Sequence, residues 1–227
     1  MVAVVLLGVL AASPAEGGST QTSSCGVKAF SYAGLQAGRT AHGVSATLAS
    51  TAAPSVSAGH VGGWIGLGGT SAGPGGAAEW LQTGLAAFPG DQTMQMYYEV
   101  TVAGSKPRYV ELGSSVAPGV SHNFAVLEML QRKSWWRVWV DGKPASPPIH
   151  LPGSHGVWYP QAVAESWNGQ NGACNAYAYR FTNVTLATAD GGRWRPMQKS
   201  YELHDAGYKV VPISSVPRTF IATSLNY

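Results

Sequence analysis

Charged side chains are scarce in this chain, at 11% of 227 residues, and the formal net charge is only +3. The basic residues are dispersed, with no Lys/Arg block interleaved with aromatics, so the electrostatic footprint of a nucleic-acid binder is missing. Cysteine is scarcer still: Cys25 and Cys174 are the only two, and no Cys/His spacing of zinc type is present. Long apolar runs are also lacking. Met1 to Leu10 (MVAVVLLGVL) is unbroken but too short to span a bilayer. No amphipathic helical period persists, which argues against a helical bundle. No linker or internal repeat divides the chain, and no Gly-x-Ser-x-Gly elbow marks a serine hydrolase. The six histidines show no metal-binding pattern. His42, His60, His122 and His204 have no partner spacing, and His150 and His155 read as loop and surface residues. No metal and no cofactor are therefore expected.

What is present is turn chemistry. Gly and Pro, 29 and 14 residues, are spread along the whole length and punctuate short alternating runs. Strand cores are expected at His60–Leu67, Ala78–Leu85 and Thr93–Val102. Trp135 to Val140 (WWRVWV), followed by Asp141-Gly142, reads as a strand entering a hairpin. Val157 to Trp167 and Ala176 to Ala187 are further strands, and a last one is expected at Thr219 to Thr223. Many short strands with turns between them predict an all-β fold, a sandwich of two antiparallel sheets. The apolar run at the start, with the small residues of Ala11 to Ala15 after it, reads as a signal peptide over 1–15. Residues 16–40 read as an N-terminal lead-in, and 41–227 as a single sandwich domain. A secreted, extracellular protein is expected, and in that compartment Cys25 and Cys174 are expected to pair. No stable membrane span is expected, and the protein reads as a monomer.

Side-chain alternation sorts the strands into faces. Leu81, Leu85, Met96, Tyr98 and Val100 fall on the side expected to be core. Trp64, Gln82, Tyr97, Glu99, Glu165 and Trp167 fall on the other, where aromatics around a few polar groups suit a groove for an extended polymer. Two carboxylates there, Glu99 and Glu165, also suit glycoside hydrolysis. A non-catalytic polymer- or carbohydrate-binding sandwich is the alternative to an enzyme, since this architecture hosts both.

Four short runs occur in order: Trp64-Ile65-Gly66-Leu67-Gly68-Gly69, Leu81-Gln82-Thr83-Gly84, Tyr97-Tyr98-Glu99-Val100 and Ala164-Glu165-Ser166. They resemble the motifs of the glutamic peptidases (eqolisins), especially bacterial-type members, from about Gly62 to Phe181. The resemblance implies a concanavalin A-like sandwich and a secreted endopeptidase acting on protein or peptide substrates. It implies a catalytic pair of Gln82 and Glu165, expected to meet across neighbouring strands. Trp64 and Glu99 carry over as supporting residues, and Tyr97 and Trp167 lie with them on the candidate face. The chain departs from the family at Gly68, where an Asp is usual, and at Ser166, where a Trp is usual. Two Trp of the third motif are Tyr97 and Val100 here.

Overall fold

The computed structural model describes Cys25 and residues 27–225; the expected signal peptide over 1–15 lies outside the described residues. The chain is built from strands: β1 (Phe30–Ala37), β2 (Gly43–Ser50), β3 (His60–Gly69), β4 (Glu79–Ala87), β5 (Met94–Thr101), β6 (Arg108–Val116), β7 (His122–Glu128) and β8 (Trp135–Val140). There follow β9 (Lys143–Pro144), β10 (Ile149–His150), β11 (Gln161–Trp167), β12 (Ala178–Ala187), β13 (Trp194–Pro196), β14 (Ser200–His204), β15 (Tyr208–Ser215) and β16 (Arg218–Ser224). One sheet has seven strands in the order β14-β1-β11-β3-β4-β5-β6. The other runs β10-β8-β7-β2-β12-β16-β15, with β13 beside β12 and β9 beside β8. The ladders are antiparallel throughout. This is the expected two-sheet sandwich of concanavalin A-like class. Among the described residues no helix is long and apolar enough to cross a membrane.

The core follows from alternation on the inner faces. Ile65, Leu81 and Leu85 from the seven-stranded sheet meet a layer that includes Leu48, Phe124, Trp136, Phe181 and Phe220 from the other. Of the residues expected inside, Leu81, Leu85, Tyr98 and Val100 are buried, and Met96 is partly buried against the same core.

Two expectations need correction. The 16–40 lead-in contains β1, a strand paired to β11 on one side and β14 on the other. It packs closely because Gly34 has no side chain: a Cβ there would lie 2.4 Å from the Ala162 carbonyl oxygen. The strand expected over Ala176 to Ala187 begins at Ala178, and its alternation, with Tyr179 and Phe181 buried, is interrupted after Phe181. A register shift between Phe181 and Val184 turns Asn183 outward at φ 55°, which is how a bulge reassigns faces. Cys25 and Cys174 form the expected disulfide and tie the segment before β1 to the loop after β11.

Candidate active site

Register places the candidate residues. Glu165 on β11 lies opposite Gly62 of β3, Gln82 on β4 lies opposite Gly66, and Gln82 also faces Glu99 of β5. Gly62, Trp64 and Gly66 share one parity, so Glu165, Trp64, Gln82 and Glu99 project from one face of the seven-stranded sheet, away from the core. Trp64, Ala86, Tyr97 and Val163 form a small apolar cluster on that face, separate from the main core, with Tyr32 and Phe88 packed against it.

Gln82 and Glu165 do not sit on neighbouring strands, because β3 runs between β11 and β4. The glycines of β3 reduce the consequence. At Gly62 a side chain is missing where a Cβ would stand 3.5 Å from the Tyr97 hydroxyl and 3.7 Å from Glu165 Cγ. At Gly66 a Cβ would stand 2.7 Å from Gln82 Cβ, so only glycine lets β4 approach this closely. On this face β3 therefore carries Trp64 alone between two bare glycine positions, with side chains of β11 on one side of it and of β4 on the other.

The hydrogen bonds fall into three separate sets on this face, around Glu165, Gln82 and Glu99. Glu165 Oε2 accepts from Trp64 Nε1 at 3.0 Å, and Glu165 Oε1 lies 3.0 Å from His60 Nε2. Gln82 Nε2 donates to the Tyr97 hydroxyl at 3.4 Å, and Trp80 Nε1 donates to Glu99 Oε1 at 3.0 Å. Glu165 is only 7% exposed, whereas Gln82 is half-buried. Trp167 lies one alternation beyond Glu165, with its ring 5.6 Å from that of His60 and 6.2 Å from that of Phe30. Tyr32 faces Glu165 across the β1–β11 ladder, and Tyr109 stacks on Tyr97 at 4.9 Å.

Burial and proximity decide the charge states. Burial raises the Glu99 carboxyl above its usual range, and the nearby Glu165 charge raises it further, against a hydrogen bond from Trp80 and the charge of His60. Tyr97 and Tyr32 are also raised, first by burial and then by Glu165, so both are neutral phenols able to donate. The raised Glu99 carboxyl makes stability depend on pH. Its contribution is fully present below the unfolded carboxyl value and is lost as pH rises through the folded value. Glu99→Gln keeps an acceptor for Trp80 and cannot ionise. Its melting temperature relative to wild type is expected to rise between pH 3 and pH 7; a difference that is the same at both pH values would contradict the assignment.

Sequence reasoning missed His60, Trp80, Tyr32 and Tyr109. His60 had a readable signal, since it stands four residues before Trp64 and shares its face. It also missed a cluster elsewhere in the molecule, in which His42 and His155 meet around Glu128. Two departures from the glutamic-peptidase motifs now have a location. Ser166 is buried on the inner side, bonded to Asn175 Nδ2 at 3.2 Å, so it replaces nothing on the candidate face. Gly68 has φ 94°, and a Cβ there would lie 2.2 Å from the Glu79 carbonyl oxygen, so this backbone has no room for an Asp.

No protein-family model and no curated protein matches the chain. Solved structures do. Two crystal structures of scytalidoglutamic peptidase, each with a transition-state analogue, match at 16% identity with TM-scores of 0.57 and 0.58. They cover 86% and 87% of this chain and 98% and 99% of theirs. SCP-B, a member of the eqolisin family of peptidases solved with the tripeptide Ala-Ile-His, matches at 17% identity and TM-score 0.52, over 86% of this chain and 97% of its own. The chain therefore shares its two-sheet fold, over nearly their whole length, with scytalidoglutamic peptidase and with SCP-B.

Proposed function

We propose that this chain is a secreted endopeptidase of glutamic type, in which Gln82 and Glu165 hydrolyse peptide bonds with water. The observation that carries the reading is the joint placement of Glu165, Gln82, Tyr97 and Trp64 on one outer sheet face of this fold. Peptide hydrolysis needs a base for water, donors for the oxyanion and an acid for the amine. Glu165 takes a proton from water as the water oxygen bonds to the scissile carbonyl carbon. Gln82 Nε2 and the neutral Tyr97 hydroxyl are the donors available to the developing oxyanion. As the intermediate collapses, the C–N bond breaks and Glu165 returns the proton to the leaving amine. Trp64 and His60 hold the two Glu165 oxygens in place. A groove of about 370 Å³ over β14, β1 and β11, lined by Tyr32, Val163, Gln161, Leu203, His204 and the Lys28–Asp205 pair, lies on the side of β11 away from Gln82 and gives one arm of a peptide somewhere to lie. The disulfide fits an extracellular compartment.

The test is cleavage of an unfolded, carboxymethylated protein between pH 2 and pH 8, with products read by mass spectrometry. Internal peptide-bond cleavage is expected. One observation favours a second reading, glycoside hydrolysis: Glu99 and Glu165 share the face, and Glu99 is raised by burial first, with the Glu165 charge adding to it. Polysaccharide substrates belong in the same assay. Release of reducing ends with no peptide cleavage would replace the first reading by the second. Binding without cleavage of either polymer would make the chain a recognition module.

A further inference from the structure

On the nine-stranded sheet, away from the site above, three side chains converge that are far apart in sequence. Glu128, at the end of β7, is fully buried. Its Oε2 lies 2.6 Å from His42 Nδ1 and its Oε1 lies 2.8 Å from His155 Nδ1. One donor atom from each residue falls within 4.8 Å of the other two. The imidazole rings stand 5.0 Å apart, edge to face.

We propose that His42, Glu128 and His155 form a binding site for a divalent transition-metal ion of the zinc class. A buried carboxylate needs a compensating charge, and here its ionic partners are imidazoles rather than Lys or Arg. Neutral imidazole is a metal ligand, and a bound cation supplies the missing charge. Two nitrogens and one oxygen suit zinc, cobalt or nickel, whereas calcium and magnesium select oxygen. Each imidazole nitrogen would separate by under about 1 Å from its Glu128 oxygen to share an ion with bonds of about 2.0–2.2 Å, within a donor set already inside 4.8 Å. The His155 side chain is 38% exposed, so a water can complete the set from the solvent side.

The surroundings hold the donors in position. The Ser134 backbone N–H donates to Glu128 Oε1 at 2.6 Å, from a left-handed conformation at φ 62°. Its carbonyl accepts from Leu151 N–H at 2.9 Å, which fixes the loop that carries His155. Gly156, at φ 63°, is where that loop presses on His42: a Cβ would stand 2.7 Å from His42 Cε1. An ion here would join β2, β7 and the segment leading into β11, the strand of Glu165. It would act on stability and not on the proposed chemistry, so the site stands or falls independently of the peptidase reading.

The test uses the full disulfide-bonded chain after treatment with a chelator and its removal. Zinc is titrated by calorimetry, cobalt by its visible absorption bands, and melting temperature is followed with zinc, calcium and magnesium. Expected are one zinc per chain, cobalt bands of a low-coordinate nitrogen and oxygen site, and a rise of about 5–10 °C in melting temperature at zinc 100 times its Kd. Calcium and magnesium are expected to change nothing. Outer-shell changes cost metal sites about 10–100-fold, so loss of a ligand in His155→Ala or His42→Ala should weaken zinc by about 100-fold or more. His155 lies at the exposed edge, and its loop keeps the Trp136–Ser154 and Ser154–Leu151 bonds, so His155→Ala is expected to fold. His122→Ala, in the exposed His122–Asp141 pair, is the control and should bind as wild type does. Absence of stoichiometric zinc binding, or binding unchanged in folded His155→Ala, would overturn the proposal.

Discussion

Glu165→Gln is expected to fold as wild type does and to lose proteolysis by about 10²–10⁴-fold, the scale of a general acid–base group. The volume hardly changes, and the Gln oxygen still accepts from Trp64 Nε1 while its amide can pair with His60. What disappears is the proton carrier. Gln82 cannot ionise and Tyr97 is held neutral by burial, so any residual activity would have to use His60 or Glu99 in its place. The effect should fall on kcat more than on KM, because the lost interaction belongs to the transition state. Melting temperature and kcat/KM measured on the same preparation check this. Full activity in a folded Glu165→Gln protein would assign the chemistry elsewhere.

Leu81→Asp is expected to yield no folded protein. Leu81 is fully buried and lies between Leu67 and Val100 in the ladders, facing the opposite sheet. Loss of the leucine costs about 2–5 kcal/mol by itself. A buried carboxylate without a partner adds several kcal/mol more, against a total stability of about 5–15 kcal/mol. Leu81→Met, of similar volume, should cost less than about 1.5 kcal/mol. Circular dichroism melts of the two variants test this. A cooperative transition near the wild-type temperature in Leu81→Asp would invert the faces of β4, and would put Gln82 inside the core.

Those faces were legible in advance because alternation is local. Leu81 and Gln82 differ by one residue, and one-residue parity decides core against surface. The same logic placed Tyr97 and Glu99 opposite Tyr98 and Val100, as found. Strand order is not local. Nothing in the residues of β4 or β11 says that β3 lies between them, and that order is set by pairing over long separations. β1 was hidden because its alternating run FSYAGLQA follows a Ser- and Gly-rich stretch, so Tyr32 was not seen opposite Glu165. The tail strands β13, β14 and β15 present mostly exposed residues on both faces, which removes the hydrophobic alternation that marks a strand. His42, Glu128 and His155 come from three separate segments and meet only through the fold. Metal-site reasoning from spacing along the chain therefore passed over them.

The four motifs were readable for a different reason. They combine a face with a chemistry: a Trp donor two residues from each of two glycines, an amide on one strand, and carboxylates on two others. Of the departures, Ser166 points inward and removes nothing from the face of Glu165, whereas Gly68 shares the parity of Trp64 and leaves that position bare, in a backbone with no room for a side chain.

The central claim is that Gln82 and Glu165 act as one unit on one water, and a double-mutant cycle in kcat/KM tests it most directly. Gln82→Ala removes an oxyanion donor and should cost about 10²–10³-fold alone. If the two side chains act on the same transition state, Gln82→Ala combined with Glu165→Gln should be little worse than Glu165→Gln by itself, because groups that act together lose their effects together. Losses that multiply in full in the double variant, with both proteins folded, would show two independent contributions and contradict the dyad.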